Sequence, residues 1–363
     1  MTSRFEALVC GDCGRVHPAR LDGVCECGGL LAARYDLAGS ESMPRGGAMW
    51  SWTSLLPPCE PLTLGEPPVR LIERGDVLYA DDGALPTGTF KARGAAVGVA
   101  MARALGATGV VLPTAGNAGA AWAAYCAEAG LACAVFAASD APAGAVDQAR
   151  EYGAAVSVVD GSIADAGARA AALAAERGWH LAATFREPWR TEGKKTALLE
   201  IADALGGRAP DAAVLPVGGG VGVVAWHKAL AEARALGWVS GEMRLYAVQA
   251  EGCAPIVRAF EAGADASEPW PDPVTSAAGI RIPSPLASRP VLRALRDSGG
   301  GAVAVSEAEI AAAADAFAEP VALEAAAAWA GYERLRERGA FAPGETVVVY
   351  GTGTRERAAR AAG

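Results

Sequence analysis

Lys91 closes the turn Leu85-Pro86-Thr87-Gly88-Thr89-Phe90 and opens an alanine-rich stretch of helical composition. A lysine in the first turn of a helix is disfavoured as a cation by the aligned amide dipoles, which favours the neutral, nucleophilic amine that a Schiff base requires. An exposed loop lysine is the plain alternative. Pro113-Thr114-Ala115-Gly116-Asn117-Ala118-Gly119 lies between a β-type run and a helical one. Small residues there let N–H groups at a helix start approach a carboxylate, and Asn117 offers an amide to a phenolate oxygen. The same residues also read as an ordinary capped turn. In Pro216-Val217-Gly218-Gly219-Gly220-Val221-Gly222, four glycines in five positions make a nest suited to phosphate, at a backbone-entropy cost that a tight turn alone does not need. It is not a Walker loop, because Gly-Lys-Ser/Thr is absent. Gly220, Gly222 and Ala225 match a loose G-x-G-x-x-A, so a dinucleotide reading stays open, although no acidic residue ends the next strand at about twenty residues' distance. Finally, Tyr350-Gly351-Thr352-Gly353-Thr354 follows the last β-type run, where a threonine hydroxyl can meet a ring nitrogen.

A second kind of chemistry sits near the N-terminus. Cys10-x-x-Cys13 and Cys25-x-Cys27 are surrounded by Gly11, Gly14, Gly28 and Gly29. Two thiolate pairs on tight, glycine-relieved turns read as a zinc ribbon with a structural Zn, and reduced thiols are the alternative. His17 reads as a surface residue, since four cysteines complete a tetrahedron. His180 and His227 belong to no recognisable constellation.

These segments need a frame, and the frame is legible as alternation. Apolar β-type runs expected at 109–112, 132–137, 155–159, 179–183, 212–217, 244–248, 302–305 and 346–349 are separated by helical stretches at 116–129, 143–152, 165–177, 195–205, 222–236 and 255–262. Ser306 and Glu309 have capping-box spacing and open one more helix. Such βα alternation predicts an α/β fold with two parallel sheets, helices on both faces and sites at the strands' C-terminal ends. Residues 39–80, rich in proline and tryptophan, read as an irregular connection with short strands.

Composition narrows the function. The 363 residues carry a net charge of −9, and only four of the 32 basic residues are lysine: Lys91, Lys194, Lys195 and Lys228. An acidic chain lacks the basic face that nucleic acid or an anionic membrane needs. No run of eighteen apolar residues offers a bilayer span. Charges and cysteines stand where a signal peptide would have its apolar core, so a cytoplasmic protein with free thiols is expected.

Together the lysine turn, the Thr114-to-Asn117 loop, the glycine nest and Thr352 resemble the fold-type II pyridoxal-phosphate (PLP) enzymes. Glu187-Pro188-Trp189-Arg190-Thr191-Glu192-Gly193-Lys194-Lys195-Thr196, Val248 to Pro255 and Thr275 to Arg281 are similar to segments of the threonine synthases. The resemblance implies a chain divided into a zinc-ribbon-like segment (1–38), a large PLP-binding domain (39–96 and 187–363) and a small substrate domain (97–186). It implies that Lys91 carries the cofactor, that Phe90, Asn117, Gly218, Gly219, Gly220, Val221, Gly222 and Thr352 bind it, and that Thr87, Thr114, Ala115, Gly116, Asn117, Thr184 and Arg190 bind substrate. Arg190, with Lys194 or Thr184, would meet the phosphate of O-phospho-L-homoserine, whose conversion to threonine is the implied reaction. The implied assembly is a homodimer and the implied partner a small phosphorylated amino acid.

Several positions depart from that family: Ala92 after the lysine, the long Glu319–Ala328 segment, and Arg355-Glu356 near the C-terminus, where an offset would place Tyr350 opposite the ring nitrogen. Other readings are a serine/threonine ammonia-lyase, a replacement enzyme on another activated amino acid and, from a different class, an NAD-dependent oxidoreductase.

Overall fold

The computed structural model describes residues 2–39 and 41–354, so Arg355 and Glu356 lie outside the described residues. Three sheets are present. The first is small and antiparallel: β1 (Phe5–Cys10) pairs with β2 (Val16–His17) and β3 (Leu31–Tyr35). After a 3-10 segment at Met49–Leu55, the chain forms the hairpin β4 (Arg70–Arg74) and β5 (Val77–Asp81). It then crosses through α1 (Lys91–Ala104) into a four-stranded parallel sheet.

That sheet is built from β6 (Gly109–Thr114), α2 (Asn117–Ala129), β7 (Ala132–Ala138), α3 (Ala143–Glu151), β8 (Ala155–Val159), α4 (Ile163–Arg177) and β9 (His180–Leu181). Its strand order is β8-β7-β6-β9. The chain returns through α5 (Trp189–Ala204) to β10 (Ala212–Pro216), α6 (Val221–Ala235), β11 (Arg244–Ala250), α7 (Pro255–Glu261) and α8 (Ser288–Asp297). It ends with β12 (Gly301–Val305), α9 (Glu307–Asp315), α10 (Leu323–Glu337) and β13 (Val347–Gly351). The second large sheet has the order β12-β11-β10-β13-β5-β4, parallel except for β4.

Most expected elements match to within two residues, and the Ser306–Glu309 capping box forms at α9. Three differences have physical causes. Expected from Lys195, α5 instead starts at Trp189, because the Glu187 carboxylate accepts the amides of Trp189 (2.9 Å) and Arg190 (3.2 Å). Gly193 sits inside that helix where a Cβ would meet the Arg93 carbonyl oxygen at 1.9 Å, so it marks a backbone crossing with α1 and not a break. The expected strand 179–183 shrinks to two residues. Finally, α8 and α10 form where the sequence reading placed no helix; α10 is buried all round along Ala325–Ala330, with no polar face there to give a periodic signature.

α1 and α5 are buried almost end to end, so their charges must be paired. Arg93 is fully buried and uses all five N–H groups: Nε and Nη2 bond Asp82 (2.7 and 2.8 Å), Nη1 and Nη2 bond Glu200 (both 2.8 Å), and Nη1 bonds Thr196 (2.9 Å). A second cluster joins α5 to α6, where Lys195 and Lys228 each bond both Glu192 and Glu232 at 2.6–2.8 Å. Tyr35 of β3 donates to Glu192 (2.9 Å) and so ties the small sheet to that cluster.

Candidate active site

The C-terminal ends of β6 and β10, the start of α1 and the end of β13 converge on a cavity of about 380 Å³. Lys91 and Phe90 line it, as do Thr114, Ala115, Gly116, Asn117, Thr184, Arg190, the glycine run from Gly218 to Gly222 with Val221, and Thr352. Residues from four distant stretches of sequence therefore meet in one place. Thr87 does not line the cavity. It lies buried within the turn at φ +67°, with its hydroxyl unpartnered among the described residues.

Backbone stitching brings Thr352 to Lys91. Phe90 N–H donates to the Thr352 carbonyl (3.0 Å), Thr354 N–H donates to Gly88 (3.1 Å), and Thr89 bridges Gly353. Tyr350 points the other way: its hydroxyl donates to Asp82 (2.5 Å) in the Arg93 cluster. The position facing the cavity is thus Thr352, and no offset is needed.

Lys91 is the first residue of α1, and its ammonium makes no hydrogen bond or ion pair among the described residues. Its Nζ lies 4.5 Å from the Phe90 ring centroid. Burial, reinforced by Arg190 and opposed by Glu324, brings its pKa down to about 8. On the opposite wall Gly220 caps α6 at φ +82°, where a Cβ would meet Val291 at 2.2 Å. At Gly218 a Cβ would meet the Gly279 carbonyl at 2.7 Å. Only glycine fits, and the first amides of α6, which have no intrahelical acceptor, are left facing the cavity as an anion site.

In the β6–α2 loop the Thr114 hydroxyl is committed to the loop itself. It accepts from the amides of Gly116 (2.9 Å) and Gly119 (3.2 Å) and donates to the Gly116 carbonyl (2.7 Å). Gly116, at φ +147°, turns the chain so that α2 begins at Asn117. Thr114 therefore shapes this loop, and the α2 N-terminus supplies its donors.

Arg190 is buried, and three of its N–H groups are spoken for. Nε bonds Glu187, Nη1 bonds Thr184 (3.1 Å) and Nη2 bonds the Ala182 carbonyl. Its guanidinium lies 5.0 Å from the Trp122 ring centroid, and two N–H groups remain for a ligand. One helical turn on, the Lys194 Nζ lies 3.8 Å from the Phe90 centroid with no hydrogen-bonded partner among the described residues. Burial, Lys91 and Arg190 together hold its pKa well below the ordinary lysine value.

Two contributors escaped the sequence reading. Glu324, in the long Glu319–Ala328 segment, lines the cavity and accepts the Gly279 amide (2.6 Å), so it holds the loop that covers Gly218. Residues Ile282 to Leu286 line the mouth, where Arg281 pairs with Asp140 at 2.6 Å. Their partners lie 45 or more residues away, and no local pattern announces them.

At the N-terminus, the four sulfur atoms of Cys10, Cys13, Cys25 and Cys27 lie within 4.8 Å of one another, with Cys10–Cys27 at 3.5 Å and Cys13–Cys25 at 3.8 Å. His17 is buried, not superficial as expected, and its Nε2 lies 3.4 Å from Cys25.

Comparison with known proteins agrees with this arrangement. Residues 63–353 match the family described as pyridoxal-phosphate dependent enzyme. A threonine synthase of Methanosarcina acetivorans is 37% identical over 348 residues, covering 90% of this chain and 86% of that protein. A threonine synthase of Methanocaldococcus jannaschii is 34% identical, covering 95% and 91%. Maize serine racemase superposes with a TM-score of 0.68 at 20% identity over 79% of this chain and 88% of its own, which speaks to the fold alone. The match extends across both large sheets and the residues around Lys91. This chain belongs to the pyridoxal-phosphate dependent enzymes and, among them, to the threonine synthases.

Proposed function

We propose that the protein converts O-phospho-L-homoserine and water into L-threonine and phosphate. The observation that carries this reading is the pair of basic side chains on α5: Arg190 with two free N–H groups and Lys194 with a free amine, on the cavity wall near Lys91. An amino acid without a distal anion would leave both unanswered, and that disfavours an ammonia-lyase.

The residues present fit the cofactor. The amides of Gly218 to Gly222 would hold its phosphate, Asn117 its phenolate oxygen, Thr352 its ring nitrogen and Lys91 its aldehyde carbon. When bound, PLP supplies an electron sink for charge developing at the substrate α-carbon. Thr352 is neutral and of high pKa, so it can hydrogen-bond the ring nitrogen without holding it protonated.

Lys91, with its depressed pKa, is suited to take protons from Cα and then Cβ near neutral pH, so that phosphate can leave Cγ, and to return protons at Cγ and, once water has added, at Cα. The α2 N-terminus, from Ala115 to Asn117, orients the substrate carboxylate. A phosphate dianion beside Lys194 favours the protonated amine there, so two cations steady the leaving group as the Cγ–O bond breaks; water then adds at Cβ.

Cys10, Cys13, Cys25 and Cys27 are read as a structural zinc site. Thiolates bound tetrahedrally at about 2.3 Å stand about 3.8 Å apart, close to the two sulfur separations above. His17 Nε2–H would donate to the Cys25 thiolate and orient it. A homodimer remains the expected assembly. No helix among the described residues is long and apolar enough to cross a membrane.

The test is to supply purified holoenzyme with O-phospho-L-homoserine and follow phosphate and threonine together. Equimolar release supports the reading. No phosphate release, with 2-oxobutyrate formed from threonine, refutes it in favour of the ammonia-lyase. Arg190→Ala turning over phosphohomoserine as the wild type does would remove that residue's role.

A further inference from the structure

The small N-terminal sheet contributes no residue to the cavity, yet it grips the segment that carries Arg190. The Arg20 carbonyl accepts the indole N–H of Trp189 (3.0 Å). Gly23 N–H donates to the Arg186 carbonyl (2.9 Å), while the Gly23 carbonyl accepts from Leu31 at the start of β3 (2.8 Å). A Cβ on Gly23 would stand 3.0 Å from the Glu187 carbonyl carbon and 3.1 Å from both Phe185 O and Pro188 N. All three are backbone atoms and cannot step aside. Phe5 of β1 adds an edge contact to Trp189, with centroids 5.5 Å apart.

What this grip holds is unusual backbone. Phe185 sits at φ +60°, a conformation costly for an aromatic residue unless its surroundings enforce it. Two residues on, the fully buried Glu187 carboxylate accepts the amides of Trp189 and Arg190 and the Nε of Arg190. The chain of support runs from Gly23 to the Glu187 backbone, and from the Glu187 carboxylate to the Arg190 guanidinium.

Arg20 also anchors the strap at its other end. Its guanidinium bonds the Val24 carbonyl (3.1 Å) and Asp22 (3.1 Å), next to the Cys25–Cys27 knuckle. The cysteine-rich turn and the arginine of the cavity are thus joined through a few residues of rigid backbone.

We propose that Arg20–Gly23 is a positioning segment for Arg190, setting the cavity's affinity for the anionic end of its substrate. This rests on the phosphorylated-substrate reading above. Among the described residues no hydrogen bond or ion pair joins the segment to the start of α1 or the glycine nest, so its effect falls on the anion and spares the cofactor.

The experiment uses holoenzyme carrying Gly23→Ala, which presses on the 185–188 backbone, and Trp189→Phe, which removes one hydrogen bond and keeps the ring against Phe5. Inorganic phosphate is the anion probe, O-phospho-L-homoserine the substrate, and hydrogen exchange at Trp189 and Arg190 the structural readout. Displacement by a few tenths of an ångström should weaken phosphate and raise KM by about threefold to tenfold, given that about 1 Å of misplacement can cost about a hundredfold. kcat should fall as well, because Arg190 also steadies the leaving phosphate, while cofactor content should hold and exchange at those two amides should quicken.

Unchanged phosphate affinity and KM in both variants overturns the proposal, whatever the exchange shows. Parallel losses of cofactor and phosphate also overturn it, because they report general loosening. If wild-type holoenzyme neither binds phosphate nor uses phosphohomoserine, the substrate reading fails. Exchange at Trp189 and Arg190 then decides the positioning by itself, and unaltered exchange in both variants refutes it.

Discussion

Arg93 offers the most quantitative test of how Lys91 is held. It is the third residue of α1, fully buried, with its five N–H groups shared among Asp82, Glu200 and Thr196. Tyr350 also donates to Asp82, and the Val69 amide to Glu200 (2.7 Å), so four chain segments meet on one guanidinium. Arg93→Met leaves two carboxylates buried without a cation, and breaking a buried pair by removing one partner costs about 3–5 kcal/mol. Arg93→Lys keeps the charge, but an ammonium has three N–H groups where the guanidinium has five. At about 1.5–3 kcal/mol for each of two lost charge-assisted bonds, its deficit is about 4 kcal/mol.

Urea unfolding of holoenzyme reads these values directly, and the melting temperature should fall by about 2 °C per kcal/mol or somewhat less for a chain of this length. The pH dependence adds a sign. Burial already outweighs Arg93 and holds the Glu200 carboxyl above its ordinary range. A group raised on folding favours the folded state below its unfolded pKa and loses that contribution as pH rises through its folded pKa. Removing Arg93 raises Glu200 further, so the Arg93→Met deficit should be smaller at pH 5 than at pH 8. A deficit under about 1 kcal/mol in both variants, or one that grows on acidification, would refute the reasoning.

Four further outcomes are expected. Borohydride reduction and peptide mapping should place the cofactor on Lys91 and not on Lys194, the other lysine lining the cavity. The rate at which apoenzyme captures PLP should rise about tenfold per pH unit below a pKa near 8 and level off above it, since only the neutral amine attacks; a flat profile from pH 6 to 9 would contradict the Lys91 environment. Gly220→Ala places a methyl against Val291 at φ +82° and should weaken cofactor retention by about tenfold or more, whereas Gly167→Ala, with open space around it, serves as the neutral control. Elemental analysis should find one zinc per chain, and Cys13→Ser or chelation should remove it and lower the melting temperature; a metal-free protein of unchanged stability would leave the four cysteines as reduced thiols.

The residues proposed to hold the cofactor were legible because the demands on them are local. Lys91, the Thr114-to-Asn117 loop and the glycine nest each sit in a turn between a strand and a helix, and each turn writes its requirement into adjacent residues. Thr87, assigned by resemblance, lies buried within the lysine turn and does not line the cavity. The long buried helices were less readable. α5 lacks an apolar stripe because its charges are satisfied inside, by Lys228 and Glu232 of α6 and by Arg93 of α1. Its true start at Trp189 would have put Arg190 and Lys194 on one face, and only the Glu187 cap reveals that start. Glu324 lay in the Glu319–Ala328 segment noted only as a departure, since its meaning depends on Gly279.

The crossing of α1 and α5 has one more consequence. The chain passes between its two large sheets only through the stretches that contain these helices, and they touch backbone to backbone at Gly193 and Arg93, with Gly94 pressed against Arg190 and Lys194. A rotation of one large sheet against the other would hinge on that contact and would break the Arg281–Asp140 pair. Lys91 and Arg190 stand within three residues of the contact on their own helices. The loop from Thr114 to Ala118 belongs to the four-stranded sheet, so such a rotation would carry it relative to Lys91.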